Sequence, residues 1–196
     1  MEESVMRTPL IVLGLLSLPA AALGEPYAVA KLAYATADLP LGAPYNGVID
    51  DTAPGLGIDV GFAFARNWAV EIGATRYGSL DGFGTPCVQG SVCPLLVRDI
   101  GGNDMTMYNA ALVPRIPAGR ARFFARVGYY RANIDTNVDL PGAGDFHEDG
   151  LMLGVGARWY FSDPWSVSLE ATRFDDNLRQ IALGFGWGLR RDDDVE

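Results

Sequence analysis

The strongest constraint on this chain is an alternation of apolar with small or polar residues, period two, that recurs along its 196 residues. Successive residues of a strand face opposite sides, so such a pattern writes a two-faced strand. It is clearest at Ile58, Val60, Phe62 and Phe64, interleaved with Asp59, Gly61 and Ala63, and at Trp68, Val70, Ile72 and Ala74, interleaved with Ala69, Glu71 and Gly73. It returns at Phe123–Tyr129, Leu151–Trp159, Trp165–Ala171 and Ile181–Leu189. Residues 26–36 fit a further strand, with Ala28, Ala30, Leu32 and Tyr34 on one face and Lys31 on the other. Residues 104–114 fit an eighth, with Tyr108, Ala110 and Leu112 on its apolar face and Met105, Met107 and Val113 blurring the pattern. Twenty-four glycines and 12 prolines work against a helical bundle. Past residue 24 no apolar run approaches the roughly 18 residues of a membrane helix.

The connectors alternate in length. Those at Arg66–Asn67, Ile116–Gly119 and Ser162–Pro164 are short, as is one near Asp175–Asn177, whereas 37–53, 79–101 and 133–148 are long. Short turns at one end and long loops at the other are the habit of an outer-membrane barrel. A soluble barrel, with its apolar face turned inward around a ligand, shares the alternation. The second face decides between them. It is rich in glycine and carries Lys31, Arg126 and Arg158 against Asp59, Glu71 and Glu170 at mid-strand, with Arg122 nearer a rim. Small residues making room for paired long ones suit the narrow interior of an eight-stranded barrel, not a solvated surface. These six charges are read as a lumen network that closes the barrel; the rival reading is the lining of a narrow pore.

An up-and-down path from a periplasmic N-terminus places Trp68, Trp159, Trp165 and Trp187 at the short-turn end, with Tyr27, Phe64, Phe123 and Phe161. They are read as one interfacial aromatic girdle. Tyr34 and Tyr129, with Tyr108 as a further candidate, form a thinner one opposite.

Residues 1–24 carry the layout of a cleavable signal peptide: Arg7, an apolar run from Leu10 to Leu18, and small residues at Ala20–Ala22 and Gly24. Cleavage is expected after Gly24, with Ala20–Ala22 as alternatives. Glu2 and Glu3 sit badly in a positive leader, and a start at Met6 in place of Met1 removes them. An exported chain meets an oxidising compartment, so Cys87 and Cys93, in the loop-like TPCVQGSVCP, are expected to form a local disulfide.

The segments AKLAY (30–34), GIDVGFAFARNWAVEIG (57–73), GYYRA (128–132), GVGARWYF (154–161), SLEATRF (168–174) and IALGFGW (181–187) resemble the small outer-membrane β-barrel family, the OmpA-like and OmpX-like transmembrane domains of Gram-negative bacteria. The resemblance spans roughly 26–189. It implies an all-β fold: an eight-stranded antiparallel up-and-down transmembrane barrel over 25–189, in the outer membrane, preceded by the signal peptide. The expected setting is a monomer in contact with outer-membrane lipid and lipopolysaccharide, and the long loops are where an extracellular partner would bind. Such barrels commonly end on an aromatic residue; this chain departs by adding LRRDDDVE, whose residues 190–196 are read as an acidic tail.

The remaining chemistry is sparse. A net charge of −9 disfavours nucleic acid as a partner. His147, the only histidine, lies in GDFHEDG beside Asp145, Glu148 and Asp149; this is read as a solvated acidic loop, against a metal site or a catalytic histidine. Gly55, Gly57 and Gly61 do not make a dinucleotide fingerprint. No cofactor and no enzymatic activity are expected. The role expected is structural or adhesion-like; a narrow channel is the first alternative and a lipid-modifying enzyme the second.

Overall fold

The computed structural model describes residues 24–41, 45–86, 98–135 and 146–188. The expected signal peptide, Cys87, Cys93, Asp145 and the acidic tail lie outside the described residues. Eight strands follow in chain order: β1 (Glu25–Leu41), β2 (Tyr45–Ala65), β3 (Trp68–Pro86), β4 (Arg98–Ala118), β5 (Ala121–Asp135), β6 (Phe146–Ser162), β7 (Trp165–Phe174) and β8 (Leu178–Gly188). Each pairs antiparallel with the next, and β1 pairs with β8, so the sheet closes into a barrel without an edge.

The register fixes the barrel's shape. A path along paired residues from Tyr27 runs through Gly61, Glu71, Ala111, Gly128, Met152, Phe174 and Leu178. It returns to β1 at Ala37, ten residues from its start. That stagger tilts the strands by about 40° and leaves an interior just wide enough for side chains.

Alternation decides which face goes where. In β7 and β8 every second residue is buried without exception. The buried set points into the lumen, while Leu32, Ile58, Ile72, Leu112, Val155, Leu169, Leu183 and their neighbours on each strand lie exposed on the outside. An apolar exterior around a charged interior is the membrane solution. In β4, Tyr108 and Leu112 face out and Met105, Met107 and Val113 face in.

Six strands are longer than alternation alone predicts. β2, β3 and β4 run 21, 19 and 21 residues, against the roughly 9–11 that cross a bilayer on a tilt. The upper parts of the six take up residues 37–41, 45–53, 79–86, 98–101, 133–135 and 146–148 of the segments read as long loops. Those parts are rich in Gly and Asp, because a strand beyond the lipid needs no continuous apolar face. Pro54 sits where the β2–β3 ladder is interrupted between Val48 and Gly55, a place that tolerates a residue without an N–H donor. The short turns fall at 66–67, 119–120 and 163–164, with Gly119 in the left-handed conformation at φ 61°. The β7–β8 turn, 175–177, is short as well, but at the opposite end.

Candidate functional site

The lumen is filled in three layers. The middle layer is ionic. Arg126, 1% exposed, sits at its centre. Its guanidinium lies 2.7 Å from Glu170, 3.0 Å from Glu71 and 3.2 Å from Asp59, and it donates to Asn109 Oδ1 at 3.0 Å. Lys31 pairs with Asp59 at 2.7 Å, and the Thr172 hydroxyl donates to Glu170 at 2.7 Å. The fold thus brings together Lys31, Asp59, Glu71, Arg126 and Glu170. Arg158 joins through a 3.6 Å approach to Glu71. Asn109 and Thr172 carry no charge to mark them in the sequence, but their strand parity puts them on this face.

Space for this layer comes from glycine. A Cβ on Gly73 would stand 1.9 Å from Asp59 Oδ1 and 3.0 Å from Asn109 Nδ2. Gly73→Ala is therefore expected to displace the Asp59 carboxylate and lower unfolding free energy by about 1–3 kcal/mol. Denaturant titration of the barrel refolded into lipid vesicles measures it.

Below this, toward the short turns, lies a layer of Arg115, Arg122, Arg158, Tyr27, Phe124 and Tyr160. Tyr27 corrects the girdle expected from the sequence. It is buried, and its hydroxyl donates to Glu71 at 2.6 Å. Ala28 faces outward, so parity turns Tyr27 inward, where Gly61 opposite leaves room for its ring. Phe64, Trp68, Phe123, Trp159, Phe161, Trp165 and Trp187 all lie exposed on the outside, with Trp165 stacked on Phe185.

The upper layer is apolar. Met105, Met107, Met152, Leu178, Leu80 and Phe174 are buried there, with Tyr130 edge-on to Phe174. Tyr77 donates to Gln180 across the barrel. Packed apolar side chains thus occupy this part of the lumen beside the ion pairs.

On the outer face, Arg173 and Arg179 stand directly opposite each other on β7 and β8. Each lies eight residues above a tryptophan of the same strand, Trp165 and Trp187, or about 20 Å along the barrel axis. A groove of about 690 Å³ runs beside them, lined by Val127, Leu153, Val155, Ile181, Tyr34 and both arginines among others. Arg173 also contacts Asp176.

Above this level the surface is acidic. Asp51 accepts hydrogen bonds from the Asp81 and Thr52 N–H groups at 2.8 and 2.7 Å, and these hold its carboxyl below the usual range. Glu148 is pushed above that range by burial and by nearby Asp175. Arg76 pairs with Asp104 at 2.9 Å. His147 is exposed opposite Asn133, and Asp149 accepts a hydrogen bond from Tyr129.

The family model for the outer membrane protein beta-barrel domain matches residues 8–190. A search of curated proteins finds no match. Among solved structures, the barrel is similar to OprG from Pseudomonas aeruginosa at TM-score 0.56 and 12% identity, covering 86% of this chain and 98% of OprG. It is similar to Ail, the attachment invasion locus protein of Yersinia pestis, solved with the heparin analogue sucrose octasulfate. That match has TM-score 0.55 and 12% identity and covers 85% of this chain and 100% of Ail. The N-terminal β-barrel domain of Pseudomonas aeruginosa OprF aligns at TM-score 0.52 and 14% identity, over 85% of this chain and 98% of that domain.

Proposed function

This chain belongs to the outer membrane protein beta-barrel family, and from that premise we propose that it works as a closed, non-catalytic surface barrel that presents an acidic platform to an extracellular partner. It resides in the outer membrane of a Gram-negative bacterium. The observation that carries the reading is the length of β2, β3 and β4, about twice what a crossing needs. Strands continued past the lipid hold a surface rigidly, which suits recognition better than transport. Asp38, Asp51, Asp81, Asp104, Glu148 and Asp149 lie on the upper parts of the strands, so charge complementarity favours a basic partner. Ail was solved with a polyanionic analogue; the acid-rich rim of this chain argues for the opposite charge in its own ligand.

The filled lumen speaks against the channel reading. In planar bilayers the folded barrel is expected to be electrically silent. Cells displaying it are expected to retain a cationic polypeptide such as polylysine, and the quadruple variant Asp38→Asn, Asp51→Asn, Asp81→Asn, Asp104→Asn is expected to lose most of that retention. Stable single-channel steps from the wild type would favour conduction; equal retention by both proteins would remove the platform.

The outer groove supports lipopolysaccharide as the lipid partner. Like charges placed directly opposite on a sheet repel. Arg173 already meets Asp176, and an anionic headgroup at Arg179 and Arg173, with acyl chain along Val127, Leu153, Val155 and Ile181, would relieve the rest of that repulsion. Arg173→Gln with Arg179→Gln is expected to lower the lipid A phosphate that copurifies with the barrel, without altering its gel shift on boiling.

A further inference from the structure

At the upper mouth of the lumen three strand ends bring a phenol and two carboxylates together. β6 contributes Glu148 and Gly150, which share the inward face of buried Met152. β5 contributes Tyr130, paired with Gly150 and 1% exposed. The third member is Asp175. Phe174 faces the lumen, so parity alone would turn Asp175 outward; its left-handed backbone, φ 55°, breaks the alternation. A Cβ on Gly150 would stand 3.2 Å from Tyr130 Cε1, 3.7 Å from Tyr130 Cζ and 3.6 Å from Asp175 Oδ2. The hydroxyl end of the tyrosine and the carboxylate thus converge on the space that glycine leaves open.

The oxygens of this cluster are underused. The Tyr130 hydroxyl is buried and meets no hydrogen-bond partner among the described residues, and Glu148 and Asp175 are the charges that bear on it. Asp175 Oδ1 accepts the Asp176 N–H at 2.8 Å, which leaves Oδ2. Glu148 is half-buried, and burial together with Asp175 pushes its carboxyl above the usual range. Arg173, on the outer face, serves Asp176 and the Asp175 carbonyl at 2.9 Å, not the Asp175 carboxylate. A buried oxygen without a partner beside two close carboxylates is costly, and a cation with donors to spare satisfies all three. The rim gives access. β7 stops at Phe174 and β8 starts at Leu178, whereas β6 rises six residues above Met152, the partner of Phe174, and β1 rises four above Ala37, the partner of Leu178. The wall is notched beside the cluster. We propose that the notch is an anchor pocket for a lysine side chain of the basic partner, its ammonium seated between Glu148 and Asp175 with the Tyr130 hydroxyl as the floor. An ammonium carries three donors on a compact head, matching three acceptor oxygens. A planar guanidinium is shaped instead for two parallel bonds to one carboxylate. The pocket is part of the acidic platform proposed above and rests on that reading; it adds which side chain the partner must present.

Fluorescence anisotropy of labelled tetralysine and tetraarginine, titrated with the full chain folded in detergent micelles, tests it. The wild type is expected to bind tetralysine more tightly than tetraarginine. Glu148→Gln is expected to weaken tetralysine at least about tenfold, the worth of one hydrogen bond to a charged group, and Tyr130→Phe about threefold to tenfold. Gly150→Ala changes no charge but places a methyl group in the open space; it is expected to weaken binding as much as Glu148→Gln and keeps the test alive if that variant fails to fold. Loss of binding in the quadruple variant Asp38→Asn, Asp51→Asn, Asp81→Asn, Asp104→Asn, with none in Glu148→Gln or Gly150→Ala, overturns the pocket and leaves the platform. A wild type that binds neither peptide overturns both. Equal affinity for the two peptides overturns the choice of ammonium. Displacement of tetralysine by calcium chloride, where sodium chloride of equal ionic strength leaves it bound, overturns the lysine and makes the pocket a metal site.

Discussion

Replacing Arg126 with alanine is expected to lower the unfolding free energy of the barrel by about 3–5 kcal/mol, the largest effect of any single lumen substitution. The figure follows from what is left behind. Asp59, Glu71 and Glu170 all lie within 3.2 Å of this guanidinium, and without it three carboxylates share a space that water barely reaches. Lys31 would still neutralise Asp59, but Glu71 and Glu170 would face each other across the gap. Arg126→Lys should recover only part of the loss, because a compact ammonium cannot reach three carboxylates and Asn109 at once. Urea titration in lipid vesicles, followed by the fluorescence of the four tryptophans, reads the change. An unchanged midpoint in Arg126→Ala would mean that the carboxylates are solvated and the ionic layer is not what fixes the barrel's interior.

Leu183→Arg is expected to cost about 2–4 kcal/mol, the range for an arginine on the lipid face near the bilayer midplane. Leu183 is exposed on the outside, four residues from Trp187 and four from Arg179, so its side chain meets hydrocarbon with neither interface in easy reach. The same change at Leu151, near the upper tyrosines, should cost under about 1 kcal/mol, since the penalty falls toward the interfaces. The contrast between the two sites separates lipid exposure from a general intolerance of arginine. Equal, small costs at both would mean that this face is wet.

Much of this architecture could be read from period-two alternation, because in a small barrel parity alone decides lipid or lumen. Lys31, Asp59, Glu71, Arg126, Arg158 and Glu170 fall on the buried face for that reason. Their partners could not be read: Arg126 meets residues of β2, β3 and β7 across the interior, and such contacts follow from stagger, which no local pattern encodes. Tyr27 reads as an interfacial ring by residue type alone, but the parity of Ala28 places it inside. Met105 and Met107 obscure β4 because the upper lumen is apolar too, and Val113 adds an inward apolar residue near the short turns, so both faces of that strand are greasy. The extramembrane reach of β2–β4 was hidden for the converse reason: past the lipid, neither face needs to be apolar.

The ring closure between β1 and β8 carries a consequence for biogenesis. Arg126 on β5 draws its counter-ions from strands that are not its neighbours in the sheet, two of them made early and one late. No open meander of these strands can satisfy it. A half-assembled sheet would have to carry naked guanidinium and carboxylate into oil, a state with a steep penalty. The ionic layer is complete only when all eight strands stand around it, so the cost of uncompensated charge favours the closed barrel over any open sheet in lipid.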